Sequence, residues 1–301
     1  MVCLLPLKSA GHIVWNEGEL GHTMYFINSG RIEVTTKAGF RAVGEQGSFF
    51  GEGALLHDSS TRSASVKCLT PVHAIEISRE CFEKYMADGY DLKLQLREKD
   101  KTRRHDQAKT ILRMQQNMEQ VACGKDQYLY KVGEAGSELY ILEEGEVDVI
   151  VNDHTVFSLK PGELCGEYSL LFGRPRNTSA RCLSDVCRYH ILPAEEFEKM
   201  TKAHKSIHES MLDKAMIREF QKALVFKTKK PFPVSEQDMV EAFDLVDENR
   251  SGKLDLSDVE IMLKRMDPTF SRKDIKDILN SLDLDRTGAI SFAEFKRMFG
   301  R

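Results

Sequence analysis

The amino-acid sequence predicts a mixed α+β fold: two jelly-roll-like β-rolls with flanking helices, followed by an all-α module. Three observations predict it. The chain superimposes on itself with an offset of 115 residues; short β-rich runs lie between the repeated glycines; and two acidic loops of one pattern lie near the C-terminus. The glycines that match are Gly18, Gly30 and Gly47 with Gly133, Gly145 and Gly162. Because shared turn glycines mean shared backbone bends, we expect two copies of one domain.

Short strands and tight turns fill each copy. Aromatic and β-branched residues between glycine-bearing turns are typical of a small barrel. We expect these residues to form the barrel cores: Trp15, Tyr25, Phe26, Ile27, Ile32 and Val34 in the first copy, and Tyr130, Tyr140, Ile141, Leu142, Val147 and Val149 in the second.

A helical stretch follows each roll, at 78–121 and at 194–224. In the second stretch, apolar residues at helical spacing form one stripe, which either packs into a core or belongs to a helix that moves over a ligand. They are Met200, Ile207, Met211, Ala215 and Leu224. In the first stretch, Arg103 to Asp106 (RRHD) is similar to a kinase inhibitor sequence but lacks its small residue, so we expect a solvated helical face.

The stretch Cys165–Ala180 (CGEYSLLFGRPRNTSA) has the composition of an anion cradle. Gly166 lets the backbone approach a ligand closely, and Arg176 can close on phosphate oxygens with charge-assisted hydrogen bonds. Glu167 is acceptor-only and suits a sugar hydroxyl. A phosphate and a ribose hydroxyl, with no basic cluster for a triphosphate, indicate a cyclic nucleotide.

The same pattern occurs earlier, from Phe50 to Val66 (FGEGALLHDSSTRSASV). Both stretches resemble the phosphate-binding cassette of the cyclic nucleotide-binding domain, found in protein kinase A regulatory subunits, cGMP-dependent kinases and gated channels. The resemblance implies an eight-stranded β-roll in which the cassette glutamate holds the ribose 2′-hydroxyl and the cassette arginine holds the cyclic phosphate. It implies contacts from Gly51, Glu52, Ala54, Arg62, Ser63 and Ser65 in the first roll, and from Gly166, Glu167, Ser169, Arg176, Asn177 and Ser179 in the second.

The nucleotide, cAMP or cGMP, stays open. A hydroxyl directly after the cassette arginine accompanies cGMP preference in the family, so Ser63 favours cGMP, whereas Asn177 fits neither preference. The first cassette also has one extra residue, Gly53 where an apolar residue is usual, and few residues ahead of its first strand. Ligand binding by the first roll is therefore left open, with a ligand-free roll as the alternative.

Two twelve-residue loops near the C-terminus match the calcium-loop pattern of oxygen ligands around a glycine. They resemble paired EF-hands, with Leu254 and Ile290 forming a short β contact between the loops. The expected ligands are Asp247, Asn249, Ser251, Lys253 (carbonyl), Asp255 and Asp258 in the first loop, and Asp283, Asp285, Thr287, Ala289 (carbonyl), Ser291 and Glu294 in the second. Since Asp258 replaces the usual glutamate, we expect the first loop to bind Ca²⁺ more weakly or to accept Mg²⁺.

Methionine and phenylalanine side chains in this module either line a groove that Ca²⁺ exposes or form a closed core. They are Met239, Met262, Met266, Met298, Phe243, Phe295 and Phe299.

We expect domains at 1–120 (short at its N-terminal side), 121–225 and 235–301, with a linker at 226–234 whose prolines block helix continuation.

Composition argues against several classes of protein. A net charge of −4 gives no support to a nucleic-acid partner or a membrane partner, and no apolar run is long enough to span a membrane. We expect a cytoplasmic protein. The seven cysteines are scattered and odd in number, which favours free thiols. Phosphate-loop, kinase and nucleophile-elbow motifs are missing, so no enzyme is expected.

The leading hypothesis is a non-enzymatic sensor that binds cyclic nucleotide and Ca²⁺ and relays both to a protein effector. One alternative is a regulatory-type subunit that inhibits a protein kinase in trans and releases it on nucleotide binding. Another is a calcium-binding scaffold whose rolls have lost their ligands.

Overall fold

The fold is described from a computed structural model, which describes residues 2–7, 9–56, 61–88, 90–113, 118–151, 153–229 and 235–298. Contacts divide the chain into two compact units, Met1–Met114 and Gln115–Arg301.

The first unit is a β-roll followed by two helices. Its strands form two four-stranded sheets with the orders β1-β8-β3-β6 and β2-β7-β4-β5. The strands are β1 (Val2–Leu7), β2 (Ile13–Trp15), β3 (Thr23–Ser29), β4 (Ile32–Thr35), β5 (Arg41–Gly44), β6 (Phe49–Phe50), β7 (Ser65–Cys68) and β8 (Val72–Ser78). Helix α1 (Gly53–Leu56) lies between β6 and β7, and α2 (Arg79–Asp88) and α3 (Tyr90–Arg113) follow the roll.

The second unit repeats this order before adding a helical module. Its sheets have the orders β14-β11-β16-β9 and β10-β15-β12-β13. The strands are β9 (Glu119–Gly124), β10 (Tyr128–Tyr130), β11 (Glu138–Glu144), β12 (Val147–Val151), β13 (His154–Leu159), β14 (Leu164–Cys165), β15 (Ser179–Cys182) and β16 (Val186–Pro193). Helix α4 (Glu167–Phe172) precedes β15, and α5 (Ala194–Ala203) and α6 (Lys205–Thr228) follow β16. The predicted fold class and repeat are confirmed.

The repeated glycines mark places where a side chain has no room. At Gly30 (φ +94°) an added Cβ would lie 2.2 Å from the Pro71 carbonyl oxygen, and at Gly145 (φ +89°) it would lie 2.6 Å from that of Val186. Both positions therefore need glycine for backbone conformation and for close approach. The helix predicted at 78–121 ends earlier, because β9 begins at Glu119 as the first strand of the second roll.

The expectation of free cysteines is wrong for one pair. Cys123 of β9 and Cys182 of β15 form a disulfide between the two sheets of the second roll. They are 59 residues apart in sequence, and only the closure of the roll brings them together, so their spacing gave no indication of the pair. Four described cysteines are outside any disulfide: Cys68, Cys81, Cys165 and Cys187.

The C-terminal module consists of two helix–loop–helix units. Its helices are α7 (Glu236–Val246), α8 (Leu256–Met266), α9 (Arg272–Leu282) and α10 (Phe292–Arg297), and its strands are β17 (Lys253–Leu254) and β18 (Ile290–Ser291). Each helix begins with a capping box, whose N-cap residues are Ser235, Asp255, Ser271 and Ser291. Leu254 pairs with Ile290, which confirms the predicted contact between the loops.

Helix α6 packs inside this module. Apolar side chains of α6 share one core with α7 to α10, and that core includes Met216, Phe220, Ala223, Leu224, Phe243, Met262, Ile278 and Phe295. The methionine and phenylalanine groove is thus occupied by a helix of the same chain, with Met239, Met266 and Met298 packed at its margin. Phe299 lies outside the described residues. Because α6 continues through Thr228, the first part of the predicted linker is helical; residues 230–234 lie outside the description.

No helix in the described ranges is both long enough and apolar enough to cross a membrane.

The shared core predicts a large cost for truncating Phe220, which is fully buried. Phe220→Ala should lower the free energy of unfolding by about 3–5 kcal/mol. Phe226→Ala is the matched control on the same helix, because Phe226 is 37% exposed, and it should cost far less. Urea unfolding followed by circular dichroism measures both losses of stability. Tryptophan fluorescence would not report on this core, because the single tryptophan, Trp15, lies in the first roll. Equal losses would contradict the shared core.

Candidate functional site

The guanidinium of Arg176 is buried in the second roll beside the start of α4. Its Nη1 donates to the carbonyl oxygen of Gly166 at 2.9 Å and its Nη2 to that of Glu138 at 2.6 Å. The guanidinium carbon lies 4.4 Å from the ring centroid of Tyr130. Its Nε is buried without a hydrogen-bond partner, and among the described residues no carboxylate lies within ion-pair distance of the group. Such a charge, held in place but not neutralised, suits an anionic ligand.

Arg62 has the same environment in the first roll. Its Nη1 donates to the carbonyl oxygens of Thr23 (2.7 Å) and Gly51 (3.1 Å), and its guanidinium carbon lies 3.8 Å from the ring centroid of Trp15. Burial lowers the pKa of this guanidinium, because the charged form has lost water without gaining a full counterion. A bound anion would supply that counterion.

Each cassette glutamate is bound by an arginine of the helix that follows its roll. Glu167 accepts from Arg218 Nη1 of α6 at 2.6 Å, and Glu52 accepts from Arg103 Nη1 of α3 at 2.6 Å. Burial raises the pKa of the Glu52 carboxyl, an effect that Arg103 partly offsets. The face containing Arg103 was predicted to be solvated. Arg103 is exposed as predicted, with 43% of its side chain accessible, but its guanidinium also reaches the roll and pairs with Glu52.

Further α6 residues contact the second cassette. The Asn177 side-chain amide donates to both carboxylate oxygens of Glu219, at 3.2 and 3.1 Å. Glu219 is also paired with Lys222, whose Nζ lies 5.2 Å from the ring centroid of Tyr168. Burial raises the pKa of the Glu219 carboxyl despite the adjacent lysine. Helix α6 thus places a carboxylate against the residue that follows Arg176.

The two cavities differ in size. The cavity of the first roll has a volume of about 280 Å³, near the lower limit of about 300 Å³ for small-molecule pockets. The corresponding cavity of the second roll has about 30 Å³, enough for a water but not for a nucleotide. The same cassette is therefore accessible in the first roll and covered in the second.

Most of the predicted nucleotide contacts line these cavities. The residues that do so are Gly51, Glu52, Ala54, Arg62 and Ser63 in the first, and Gly166, Glu167, Ser169, Arg176 and Asn177 in the second. Two of the predicted contacts, Ser65 and Ser179, line neither cavity. Their hydroxyls instead accept from the backbone N–H groups of Glu17 (2.9 Å) and Val132 (3.0 Å), because they begin strands that hold the turn after β2 or β10.

The predicted site residues did not include Trp15 and Tyr130 or the helix arginines. A signal was present, since Arg103 and Arg218 are separated by the same 115 residues as Glu52 and Glu167. The repeat did not indicate Glu219, because the residue 115 positions earlier in the first copy is an arginine.

The second calcium loop presents a compact set of oxygen atoms. Carboxylate oxygens of Asp283, Asp285 and Glu294 lie within 4.8 Å of one another, and all three side chains are buried. Burial, together with the hydrogen bond to Asp285 and the negative charge of Glu294, raises the pKa of Asp283 to about 6. Thr287 N donates to Asp283 Oδ1 at 3.0 Å, which holds the turn. Buried carboxylates that repel one another are a donor set that fits Ca²⁺.

The remaining predicted ligands of this loop are also held in the loop. Thr287 Oγ1 donates to the Ala289 carbonyl at 3.2 Å, and Ser291 Oγ donates to Glu294 Oε2 at 2.7 Å.

The first calcium loop has the same turn but a looser acidic set. Ser251 N and Gly252 N donate to the Asp247 carboxylate at 2.9 and 2.8 Å. Asp258 accepts from the backbone of Asp255 at 3.0 Å. Within the described residues, the close group of three carboxylates in the second loop has no counterpart here.

Other predicted ligands of the first loop bond to one another. Asn249 Nδ2 donates to Asp255 Oδ2 at 3.2 Å, and Ser251 Oγ donates to the Lys253 carbonyl at 2.8 Å. The loop still presents oxygen atoms to a cation, and its weaker binding of Ca²⁺ stays a prediction.

Residues 8–88 and 120–204 match the cyclic nucleotide-binding domain family. These two matches cover more than half of the 301 residues, so the chain belongs to this family and contains its domain twice. Residues 236–300 match the EF-hand domain pair. The chain thus combines tandem cyclic nucleotide-binding domains with an EF-hand pair.

Similar proteins include cyclic-nucleotide-regulated kinases. The cGMP-dependent protein kinase of Plasmodium berghei is 30% identical over 179 residues, which are 56% of this chain and 20% of that protein. Isozyme 2 of the Drosophila melanogaster cGMP-dependent protein kinase is 23% identical over 235 residues, 72% of this chain and 21% of that protein. The chain spans about a fifth of the length of these relatives. Among solved structures, the regulatory domain of Toxoplasma gondii PKA with cAMP has 20% identity, 71% coverage of this chain, 85% coverage of that chain and a TM-score of 0.32.

The cassette geometry predicts that two neighbouring glycines respond differently to substitution. Gly166 and Gly173 both have positive φ, but an added Cβ at Gly166 would lie 2.5 Å from Arg176 Nη1, whereas at Gly173 nothing lies within 4 Å. Gly173→Ala should cost about 1–2 kcal/mol through backbone strain, and Gly166→Ala about 1–3 kcal/mol more through overpacking. Urea unfolding measures both. A loss at Gly166 no larger than at Gly173 would contradict the placement of Arg176.

Proposed function

We propose that the chain is a non-enzymatic, cytoplasmic sensor that binds cyclic nucleotide in its rolls and Ca²⁺ in its EF-hand pair, and relays both to a protein effector. The observation that supports it most is the environment of Arg62 and Arg176. Each guanidinium is buried, bound to two backbone carbonyls, stacked on an aromatic ring and close to a cassette glutamate. This arrangement suits a ligand with one phosphate and an adjacent ribose hydroxyl.

In the first roll, Arg62 would hold the cyclic phosphate and Glu52 the ribose 2′-hydroxyl, while Arg103 keeps Glu52 oriented. Ser63 lines that cavity, which favours cGMP there because its hydroxyl can meet the guanine amino group. In the second roll, Arg176 and Glu167 have the corresponding roles, but Glu219 and Lys222 of α6 must move before a nucleotide fits. We therefore expect the first roll to bind nucleotide more readily.

In the EF-hand pair, a bound Ca²⁺ would neutralise the mutual repulsion of the loop carboxylates and so stabilise the loop conformation. Asp283, Asp285 and Glu294, with oxygens of Thr287, Ala289 and Ser291, would hold it in the second loop. The first loop would use Asp247, Asn249, Ser251, Asp255 and Asp258 with the Lys253 carbonyl. We divide the chain functionally at 1–120, 121–225 and 235–301, with α6 serving both of the last two parts.

A second candidate is a regulatory-type subunit that inhibits a protein kinase in trans. The similarity of the rolls to cGMP-dependent protein kinases favours it. Co-purification of a kinase with the chain, and its release by cAMP or cGMP, would distinguish this function from a sensor with another effector.

Nucleotide binding should depend on both cassette arginines. Arg62→Ala and Arg176→Ala should each weaken binding at their own roll by about 10- to 100-fold, because each removes charge-assisted hydrogen bonds to the phosphate. Calorimetric titration with cAMP and cGMP measures this, with Arg41→Ala as the control at an arginine 72% exposed. Unchanged binding in both cassette variants would leave the rolls as a scaffold and contradict the proposal.

The twelfth position of each loop should set its calcium affinity. Glu294→Gln should weaken the second loop by at least about tenfold, since it removes one charge from the ligand set, and Asp258→Glu should strengthen the first loop by restoring a bidentate ligand. Calcium titration by calorimetry resolves the two steps. If Asp258→Glu leaves the weaker step unchanged, ligand length does not explain the difference between the loops.

A further inference from the structure

Helix α6 has two functional faces within one turn. Arg218 and Glu219 face the cassette, where they contact Glu167 and Asn177. The next residue, Phe220, is fully buried in the EF-hand core and lies 6.3 Å from the ring of Phe295, centroid to centroid. Because the three are consecutive on a rigid helix, a shift of α6 out of the EF-hand pair would also move the groups that cover the cassette.

A second contact joins the cassette directly to the EF-hand pair. Arg174 lies two residues before Arg176; its Nη1 donates to the Tyr168 hydroxyl at 3.1 Å and its Nη2 to Asp274 Oδ2 at 3.2 Å. Asp274 belongs to the capping box that begins α9. The cassette is therefore tied to the EF-hand pair both through α6 and through this ion pair.

The first roll has the same arginine–glutamate pair beside a larger cavity. Arg103 binds Glu52 as Arg218 binds Glu167, yet the first cavity has about 280 Å³ and the second about 30 Å³. The arginine–glutamate pair does not by itself close the site. Among the residues that line the second cavity, Glu219 and Lys222 of α6 extend the cover, and these flank the residues held in the EF-hand core.

We propose that the EF-hand pair regulates the nucleotide site of the second roll by holding α6, and that Ca²⁺ lowers the affinity of this site for cyclic nucleotide. This inference rests on the proposed function and specifies its regulation. Calcium opens sensor EF-hand pairs and exposes a groove that receives an apolar helix. Here α6 occupies that groove, so Ca²⁺ strengthens the hold on α6 in its covering position.

The covering position opposes the nucleotide for two physical reasons. The cavity is too small for one, and Glu219 holds the side-chain amide of Asn177, the residue after Arg176, so that Asn177 is already engaged by α6. By linkage, nucleotide in the second roll must weaken Ca²⁺ binding by the same factor.

The test isolates the second roll by using the full chain with Arg62→Ala. cAMP and cGMP are titrated by calorimetry with saturating Ca²⁺ and with chelator, and Ca²⁺ binding is verified separately. We expect nucleotide binding to be weaker by about tenfold in Ca²⁺. Hydrogen exchange of α6 amides gives a readout without nucleotide, and Ca²⁺ should increase their protection.

A matched pair of variants tests the ion pair. Arg174→Gln should reduce the Ca²⁺ effect by about two- to fivefold, the range for a partly exposed ion pair. Arg181→Gln is the control, because Arg181 has the same 34% side-chain exposure and pairs with Asp148 within the roll; it should leave the Ca²⁺ effect unchanged. Equal loss of the effect in both variants would count against the ion pair as a link.

The outcomes separate the two proposals. Nucleotide binding that is equal or tighter in Ca²⁺ overturns this inference and leaves the proposed function standing. The absence of nucleotide binding to the Arg62→Ala chain in both conditions overturns this inference alone. The proposed function falls only if the unmodified chain also binds neither cAMP nor cGMP.

Discussion

The second unit depends on one helix that must be buried on two sides. A helix at a protein surface buries one stripe and leaves the other in water. Helix α6 instead places Arg218 and Glu219 in the roll and Phe220 in the EF-hand core. Neither neighbour is complete without it: the cassette would lose its cover, and the EF-hand pair would expose a groove of methionine and phenylalanine side chains, which water penalises.

The cassettes depend on a different constraint, which is a buried positive charge. Burying a guanidinium costs free energy unless hydrogen bonds replace its water. Two backbone carbonyls and an aromatic ring partly replace that water around Arg62 and Arg176, and no described carboxylate completes the neutralisation. A charged side chain that is buried in the folded protein without a counterion is characteristic of a binding site. The cassette glutamates show the opposite arrangement, because helix arginines already neutralise them.

Much of this arrangement could be predicted from the sequence. The glycine repeat fixed the number of rolls, since Gly30 and Gly145 stand where a side chain would collide with backbone. The cassette arginines and glutamates followed from their chemistry and spacing, and the EF-hand loops from the positions of their oxygen ligands. These features are local in sequence, so a pattern can reveal them.

The features that sequence did not predict join residues far apart. The Cys123–Cys182 disulfide requires the closure of the roll. The occupation of the EF-hand groove by α6 could not be separated from a closed core, because methionine and phenylalanine are apolar in either case. Ser65 and Ser179 were assigned to the site by their place in the motif, but strand geometry turns their hydroxyls toward neighbouring turns.

The central proposal is that both rolls are nucleotide sites and that α6 makes them unequal. The most direct test counts the binding sites of the unmodified chain for cAMP and cGMP by calorimetry, in chelator and in Ca²⁺. The account predicts two sites, of which the weaker becomes weaker still in Ca²⁺. Two equal sites that ignore Ca²⁺, or no site at all, would contradict it.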